Sequence, residues 1–549
     1  MALQKIHNRM ISGAPVSVKD YGAVGDGLVD DTLAIQAALN SGSEHIVFPD
    51  GHYLISSGLT VSTSGNLFLD GMGSKISAAS QSMDKMLTIL STGAAKLVEV
   101  KNFHLSGSNL ASVGIFVELT SNTLSKLVVQ NNIVEGFNNG GVTRSTYGIR
   151  VDALGIESVV IDGNIVQDVN RTSVAPGSIA SVGIGVYELK YGLVISKNKI
   201  SNITSPVGDA DADGIQIFSY NRLLSEHQTA SPIITQNYFY NCKGRFVKLQ
   251  SANGVVSQNR FEIEDYAVSG SFDFVDLQTG GGIVSDNTAF YKPVAGEGTS
   301  ASFVTMNPRD YATQENQYIV SNNSLVIEGE MFAFAFSYPV GVTNATIKVS
   351  DNIVSSDSSD FFVKDFMVLN LTEDTQFMDL SVNNNQINYL GVGGLFAFYQ
   401  DCWDTVSDPV TGPLIADIFK LSLVQNSCRV GDANIDLIET DLGPTTGEPP
   451  YLKHLMIRGN SNFADSQVFA KGVDVQALPD GTQFYFSTDN TPSGGLVNAP
   501  VGFERYVMVE RIGDSWCRLS YIDGSKVALF RFDVTPAGFS YTSTTALTF

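Results

Sequence analysis

Hydrophobic and polar residues alternate in short stretches along most of the chain, and the alternation recurs around one four-residue phrase. The phrase is an aliphatic residue, two mostly polar residues and an asparagine, usually followed by another apolar residue. Successive phrases are 22 to 41 residues apart, so the repeating unit accepts insertions. The eleven copies end at these asparagines: Asn132, Asn164, Asn198, Asn237, Asn259, Asn287, Asn323, Asn352, Asn385, Asn426 and Asn460.

A solenoid of short parallel strands accounts for this repeat. Each coil would contribute strands joined by tight turns, and one turn position favours the left-handed backbone region, which asparagine tolerates. Stacked asparagines hydrogen-bond from coil to coil, and the flanking apolar residues point into a narrow core. We therefore predict an all-β fold, a right-handed parallel β-helix. The alternative is a β-sandwich whose turns happen to contain asparagine.

The residues before the first repeat predict a cap. Val16–Lys19 alternates as a short strand, and a glycine-rich loop follows it. Asp30 or Asp31 can then cap a short helix, Asp31–Leu39. We expect this helix to cover the open end of the first coil, because that coil exposes apolar core. Its apolar face consists of Ile35, Ala38 and Leu39.

The pattern changes again near the C-terminus, where aromatic residues alternate with polar ones and predict a small antiparallel β domain. The sequence thus divides into four segments. They are an N-terminal segment at 1–15, the cap and first coils at 16–100, the main β-helix with a ligand groove at 101–475, and the C-terminal domain at 476–549.

The cap also carries a motif that resembles a known superfamily. Val18-Lys-Asp-Tyr-Gly-Ala-Val-Gly-Asp-Gly27, followed by Asp30-Asp31-Thr32 and by Val47-Phe48-Pro49-Asp50-Gly51, is similar to the N-terminal motif of the pectate-lyase-like superfamily. It is especially similar to that of phage tailspike depolymerases. The resemblance implies a homotrimer in the virion tail, attached to phage tail or baseplate proteins, that binds and degrades a bacterial surface polysaccharide. We expect the aspartates of the motif to be structural caps.

Charge and composition narrow the partners. The chain has 33 basic and 56 acidic residues and a net charge of −23, which disfavours nucleic acid and anionic membranes as partners. The sequence has no apolar stretch of about 18 residues, so we expect no membrane insertion. The N-terminus has no secretory pattern and the four cysteines are far apart, which predicts assembly in the reducing host cytoplasm. No cofactor and no metal site are predicted.

Charged, amide and aromatic residues fall on the outward side of consecutive predicted strands. The inward positions are aliphatic pairs such as Ile149 and Val151. Outward residues of stacked coils lie about 4.8 Å apart, and we expect the charges to fade on the coil that carries Ser302, Thr305 and Asn307. The three outward columns are Tyr147, Val182, Asp213, Arg245 and Asp273; Arg150, Gly185, Gln216, Lys248 and Asp276; and Asp152, Tyr187, Phe218, Gln250 and Gln278.

These columns contain the candidate catalytic residues Asp213, Asp273 and Asp276, with Asp211 close by. Glycoside hydrolysis needs two carboxyl groups, one as acid and one as base or nucleophile. Asp213 and Asp273 share a column two coils apart, which is roughly 9.6 Å. Asp213-Gly-Ile215 also resembles a phrase of polygalacturonase-type hydrolases, although the Gly-His-Gly of that family is absent.

The other polar and aromatic residues of the columns suit a sugar, because aromatic rings stack on sugar faces and amides hydrogen-bond hydroxyls. Alternatives remain open at this point: a lyase acting on a uronic-acid glycan with Arg245 and Lys248, a deacetylase, a non-catalytic adhesin, a plain ion-pair ladder, or a calcium site at Asp209–Asp213. The candidate substrate-binding residues are Arg245, Lys248, Gln250, Gln278, Gln216, Phe218, Tyr187, Glu188, Tyr147 and Arg150.

Two apolar strands further along the chain, Met331–Phe336 and Leu395–Phe398, suggest surface that is buried between subunits of a trimer.

Overall fold

The structure is a computed structural model of the chain. It describes residues 14–542 except for these segments: 81–82, 94, 120–123, 139–143, 173–179, 207–211, 220–230, 251–252, 269–271, 279, 295–299, 308–315, 339–344, 357–362, 372–374, 389–393, 401–415, 429–435, 443–450, 462–466, 471–473, 476–482, 488–504, 513–515, 524–525 and 536–537.

The chain forms two compact units, and each unit contains stacked parallel strands in three sheets, which we name A, B and C. The first unit comprises residues 1–277 and 287–298, and the second comprises residues 278–286 and 299–549. Within each unit, successive coils pair in parallel with their neighbours. The predicted fold class, an all-β parallel solenoid, is therefore confirmed.

The strands of the first unit belong to sheets A, B and C. Its sheet A consists of Val16–Ser17, His45–Val47, Leu67–Asp70, Leu97–Lys101, Lys126–Gln130, Ser158–Asp162, Gly192–Ser196, Ile233–Thr235 and Gly254–Ser257. Its sheet B consists of Asp26–Asp30, His52–Ile55, Lys75–Ala78, His104–Ser106, Ile133–Asn138, Ile165–Asn170, Lys199–Thr204, Tyr238–Cys242, Arg260–Tyr266 and Thr288–Pro293. Its sheet C consists of Leu59–Thr63, Met83–Ser91, Ala111–Leu119, Thr146–Asp152, Ser181–Leu189, Ala212–Ser219, Arg245–Gln250 and Asp273–Leu277.

The second unit repeats this arrangement and adds a further sheet. Its sheet A consists of Gly282–Ser285, Asn316–Ser321, Ala345–Ser350, Thr375–Asn383, Ala416–Val424, Tyr451–Arg458 and Asp474–Val475. Its sheet B consists of Ser324–Ile327, Ile353–Ser356, Gln386–Ile387 and Ser427–Cys428, and its sheet C of Ser302–Met306, Met331–Ser337, Val363–Leu371, Gly394–Gln400 and Asp436–Leu442. The further sheet, antiparallel except for its first pair, consists of Gln467–Ala470, Gln483–Ser487, Arg505–Ile512, Trp516–Asp523, Lys526–Thr535 and Gly538–Thr542.

The repeated asparagines form hydrogen-bonded ladders within each unit. The Asn164 Oδ1 atom accepts from the backbone N–H and from Nδ2 of Asn132, both at 3.0 Å, and the same pattern recurs from Asn352 to Asn385. These amides are buried, so the ladder satisfies polar groups that would otherwise be costly inside the solenoid.

The left-handed turn position is not the asparagine itself, contrary to the prediction. It is the preceding residue, as at Asn131 with φ 55° and Gly163 with φ 65°. The buried asparagine is retained for its side-chain amide, whereas the residue before it meets the backbone requirement. Position three of the phrase is accordingly Asn, Gly, Asp, Gln or Lys, whereas position four is Asn in each of the eleven copies.

The N-terminal cap differs from its prediction in two details. The strand is shorter, Val16–Ser17, and continues as a 3-10 helix, Val18–Tyr21. The α-helix is Thr32–Leu39, and its predicted face of Ile35, Ala38 and Leu39 is buried. Asp30 Oδ1 accepts from the Thr32 N–H at 3.0 Å.

Unlike that of Asp30, the Asp31 side chain does not cap the helix by a hydrogen bond. Its carboxylate accepts from the backbone N–H groups of Val24 and Gly25, at 2.6 and 3.0 Å, and so fixes the preceding loop. Gln36 then ties the helix to the first strand of sheet C, because its side-chain amide exchanges two hydrogen bonds with the Thr60 backbone, at 2.7 and 3.0 Å. Asp30 and Asp31 of the motif thus both accept hydrogen bonds from backbone groups of the cap.

Candidate functional site

The candidate site lies on the outward face of sheet C in the first unit, and its first two columns have the predicted register. Tyr147 pairs with Val182, Val182 with Asp213, Asp213 with Arg245, and Arg245 with Asp273. The second column runs from Arg150 through Gly185, Gln216 and Lys248 to Asp276. The predicted inward residues of the same strands, such as Ile215 and Leu249, are buried.

The third column follows the prediction only in part. Asp152 pairs with Tyr187 and Phe218 with Gln250, but the register shifts between Val186 and Leu189. The shift coincides with Glu188, whose φ of 55° is left-handed. Although the ladder is interrupted there, the Tyr187 and Phe218 rings stack with centroids 5.1 Å apart.

Three carboxyl groups converge on one guanidinium group in this face. Arg245 Nη1 lies 3.2 Å from Asp213 Oδ1, and Arg245 Nε lies 2.9 Å from Asp276 Oδ2 and 3.8 Å from Asp273 Oδ2. We call Asp213, Arg245, Asp273 and Asp276 the carboxylate cluster. Because the three carboxyl groups contact one planar group, they lie close to one another, and glycosidases likewise use a pair of neighbouring carboxyl groups.

Asp213 and Asp276 are buried and Arg245 and Asp273 are half-buried, although all four lie in the outward columns of the sheet. The side chains of Asp213, Asp276, Asp273 and Arg245 are 0, 3, 14 and 18% exposed, and Lys248 in the adjacent column is also buried. Three carboxyl groups and two basic side chains are therefore largely shielded from bulk water. Buried charge of this kind is costly for folding and is concentrated at functional sites.

Aromatic residues and an arginine adjoin the cluster on the same face. We call Tyr147 and Tyr187 the tyrosine pair: the Tyr187 hydroxyl donates to Gln216 Oε1 at 2.5 Å and lies at hydrogen-bond distance, 3.1 Å, from the Tyr147 hydroxyl. The Arg150 guanidinium lies 5.2 and 5.0 Å from the two ring centroids and is held by Asp152, with Nε 3.0 Å from Oδ1.

The packing of the tyrosine pair requires a glycine between the rings. A Cβ atom at Gly185 would lie 2.8 Å from the Tyr187 ring and 3.2 Å from that of Tyr147. Burial, reinforced by the neighbouring Tyr147, raises the pKa of Tyr187 above its ordinary value, so its hydroxyl remains a hydrogen-bond donor. Burial lowers the pKa of Arg150, but the adjacent Asp152 outweighs this and the net shift is upward.

Some predicted site residues are not brought into this arrangement. Glu188 is exposed, and within the described residues its side chain makes no hydrogen bond or ion pair. Gln250 is the last residue of its strand, and Gln278 follows Asp273–Leu277, the last sheet C strand of the first unit, but belongs to the second unit. Asp211 and Asp209 lie outside the described residues.

The sequence interpretation overlooked two residues at the other end of the same columns. Lys85 and Phe116 lie one to two coils before Tyr147 and Arg150, and the Lys85 ammonium group sits 3.7 Å from the centroid of the Phe116 ring. The alternation in Ala111–Leu119 would have revealed them, since its register with Thr146–Asp152 needs no gap.

No metal or membrane feature emerges from the described residues. The His, Cys, Asp and Glu side chains whose positions are described form no group of three or more suited to a metal ion. No helix in the same residues has the length and apolar character needed to cross a lipid bilayer.

Part of the chain matches a family. Residues 15–205 match the family described as rhamnogalacturonase A/epimerase, pectate lyase-like, so the resemblance inferred from the cap motif is confirmed over that range. The matched range includes the tyrosine pair and Arg150. It ends before Asp213, and the carboxylate cluster lies outside it.

The relatives of known identity match shorter stretches. Mannuronan C5-epimerase AlgE2 of Azotobacter vinelandii is 27% identical over 154 residues, which is 27% of this chain and 11% of that protein. Mannuronan C5-epimerase AlgE5 of the same organism is 33% identical over 154 residues, again 27% and 11%. Plasmin and fibronectin-binding protein A of Streptococcus pneumoniae is 43% identical over 56 residues, 9% of this chain and 8% of that protein. The chain thus spans about a tenth of the length of these relatives.

Solved structures to which this chain is similar include a phage tailspike and a second viral protein. The tailspike protein of E. coli bacteriophage HK620, solved with a pentasaccharide, has a TM-score of 0.46 at 11% identity and covers 97% of this chain and 93% of its own. ORF18 of Geobacillus virus E2 has a TM-score of 0.41 at 14% identity, with coverage of 97% and 79%.

Proposed function

We propose that this chain is a phage tailspike protein that binds and depolymerises a bacterial capsular or O-antigen polysaccharide by glycoside hydrolysis. The observation that carries the proposal is the carboxylate cluster, in which Asp213, Asp273 and Asp276 share Arg245 on a sheet face that also presents aromatic and amide groups. The match to a rhamnogalacturonase/epimerase family and the mannuronan-modifying relatives support a polysaccharide as the substrate.

The contacts to Arg245 suggest how the carboxyl groups divide the reaction. An ion pair favours the charged form of a carboxyl group, so Asp213 and Asp276, at 3.2 and 2.9 Å from Arg245, are the ionised members. Asp273 has the longest contact, 3.8 Å, and the greatest exposure of the three carboxyl groups. Because Arg245 stabilises the charged form of Asp273 least, and because its exposed surface lets it reach a substrate, Asp273 would hold the proton that is delivered to the glycosidic oxygen.

Asp276 would then act as the base that takes a proton from the attacking water. Asp213, which has no exposed surface, cannot reach a substrate in this arrangement and would position Arg245. The tyrosine pair, Arg150 and Gln216 would bind neighbouring sugar units, because rings stack on sugar faces and the polar groups bond hydroxyls.

A second candidate reaction is proton abstraction from a uronic acid, as in a lyase or an epimerase. Two observations favour it. The chain is similar over 154 residues to mannuronan C5-epimerases, and two cationic side chains, Arg245 and Lys248, accompany the carboxyl groups. In that reaction Arg245 would neutralise the uronate carboxylate and Lys248 would be the candidate base.

Incubation of the purified protein with capsular polysaccharides from candidate host bacteria separates these reactions. New reducing ends without ultraviolet absorption by unsaturated uronates, lost in Asp273→Asn and Asp276→Asn, are the result we expect. Products that absorb ultraviolet light would identify a lyase. A changed ratio of the two uronic-acid epimers without cleavage of the polysaccharide would identify an epimerase. Binding without any chemistry would favour an adhesin, and full activity in both variants would contradict the assigned face.

The proposal includes a homotrimer in the virion tail that attaches to phage tail or baseplate proteins. In the second unit, Phe332 and Phe336 pack outside sheet C over Ala333, Val368 and Ala397, an apolar surface of the kind that subunits bury. Phe334 of the same strand is instead a core residue that stacks on Phe366 at 4.8 Å, which corrects the prediction that the whole stretch faces outward. Sedimentation at the mass of a monomer would contradict the trimer.

A further inference from the structure

A pocket lies at the start of sheet C in the first unit, away from the carboxylate cluster. Its cavity has a volume of about 400 Å³. Hydroxyl groups dominate its lining, together with one carboxylate and one ammonium group, and none of its lining residues was among the predicted site residues. We call it the serine pocket; the residues that matter here are Ser57, Thr60, Asp84, Lys85 and Thr88.

The serine pocket shares its columns with the site already described. Thr60 pairs with Thr88, Thr88 with Phe116 and Phe116 with Arg150, and that column continues to Gln216 beside the cluster. Thr88 and Gln216 are four strand spacings apart, about 19 Å at 4.8 Å per strand. A chain of several sugars laid along sheet C would therefore reach both places.

The charges of the pocket favour one kind of ligand. Asp84 is already paired, since its Oδ1 lies 2.6 Å from Arg144 Nη1. Lys85 is not, because among the described residues no carboxylate lies within ion-pair distance of its ammonium group, which instead rests over the Phe116 ring at 3.7 Å. An ammonium group held at the edge of a hydroxyl-lined cavity is suited to a carboxylate whose neighbouring groups are hydroxyls.

We propose that the serine pocket binds a carboxylate-bearing sugar unit of the polysaccharide, with Lys85 on its carboxylate and Ser57, Thr60 and Thr88 on its hydroxyls. This inference rests on the proposed function and makes it narrower: the substrate is an acidic glycan, and it extends along sheet C from the cluster to the first coils. Lys85 has no part in the chemical step.

The test measures affinity by calorimetry in the Asp273→Asn background, which prevents turnover. The ligands are an acidic capsular polysaccharide that the wild-type protein cleaves and the same polysaccharide after chemical reduction of its carboxylates to alcohols. Lys85→Met keeps the stem over Phe116 and removes the charge. We expect it to weaken binding of the acidic form about tenfold and to leave binding of the reduced form unchanged. Lys96→Met, at an exposed lysine outside the pocket, is the matched control and should change neither affinity.

The outcomes separate the two proposals. Equal weakening for both forms of the glycan would mean that Lys85 only supports the fold, and unchanged affinity for the acidic form would exclude the pocket; each overturns this inference. Cleavage of neutral polysaccharides alone would also overturn it while leaving the proposed hydrolase intact. If no polysaccharide on the panel is cleaved, the hydrolase fails, and calorimetry with the acidic polysaccharides themselves still decides the pocket through the difference between Lys85→Met and Lys96→Met.

Discussion

Asp213 in the first unit and Asp365 in the second are both completely buried carboxyl groups on sheet C, yet their surroundings differ. Asp365 Oδ1 accepts from the Gly394 N–H at 2.8 Å, and the surface beside it is apolar, with Phe332, Phe336 and Val368. Asp213 shares Arg245 with two further carboxyl groups. A carboxylate that satisfies a backbone donor supports the fold, whereas a buried group of like charges costs stability and needs another reason to persist.

The same contrast extends along the outward column of each unit. In the first unit the column reads Arg150, Gly185, Gln216, Lys248 and Asp276. In the second it reads Thr305, Phe336, Val368 and Ala397. One backbone arrangement thus carries a polar face suited to a ligand and an apolar face suited to packing, and the two faces predict opposite responses to substitution.

The largest expected effect comes from Arg245→Met. It would leave three buried carboxyl groups without their shared cation, which costs about 3–5 kcal/mol when one partner of a buried pair is removed, and it would abolish activity. The control in the second unit is Lys364→Met, since Lys364 is 42% exposed and 3.9 Å from Asp365. Chemical denaturation measures the loss of unfolding free energy in each variant. Equal losses in Arg245→Met and Lys364→Met would contradict the difference that we infer between the two faces.

Gly185→Ala should have the next largest effect. The added methyl group would force apart the tyrosine pair, and overpacking of this kind costs about 1–3 kcal/mol and would lower the affinity for the glycan. Gly192→Ala is the matched control, because the nearest atom to a Cβ there is 3.9 Å away. Thermal unfolding and glycan binding of the two variants are measured together, and a tolerated alanine at position 185 would mean that the rings move freely.

Tyr187→Phe should have the smallest effect of this series. It removes the hydrogen bonds to Tyr147 and Gln216, each worth about 1 kcal/mol, and keeps the stack on Phe218. We expect a several-fold increase in KM with little change in kcat, because the hydroxyl orients the binding surface without entering the reaction. A loss confined to kcat would instead place Tyr187 in the chemistry. Steady-state kinetics on the cleaved polysaccharide distinguish the two results.

The sequence predicted much of the fold because one local rule repeats. The asparagine phrase marked the residues of the ladder, and alternation placed the first two outward columns of the first unit correctly. In Met331–Ser337 alternation was misleading, because Phe334 lies in the core. The left-handed residue was misplaced by one, since the backbone requirement and the amide requirement fall on neighbours such as Asn131 and Asn132. The third column went out of register at Glu188, whose backbone is left-handed. The hydrophobic alternation of the sequence does not predict that shift.

The candidate site was predictable only as a set of columns. Alternation placed Asp213, Arg245 and Asp276 on one face, but the convergence of three carboxyl groups on one guanidinium depends on side-chain geometry. Their burial depends on surroundings that strand periodicity does not encode. The serine pocket was missed because the predicted columns began at Tyr147 and Arg150, two coils after Lys85 and Thr88, and because Ser57 lies in a bend where a hydroxyl side chain is ordinary.

The most direct test compares Asp273→Asn with Asp365→Asn on a polysaccharide that the wild-type protein cleaves, measuring kcat/KM and the thermal unfolding midpoint of each variant. Asp273→Asn should lower kcat/KM by at least about a hundredfold, the contribution of one general acid, without a lower unfolding midpoint. Asp365→Asn should do the reverse and destabilise the protein while the folded fraction retains full activity. Wild-type activity in Asp273→Asn, or a loss of activity in folded Asp365→Asn that matches the expected loss in Asp273→Asn, would contradict the assignment of the polysaccharide site to the first unit.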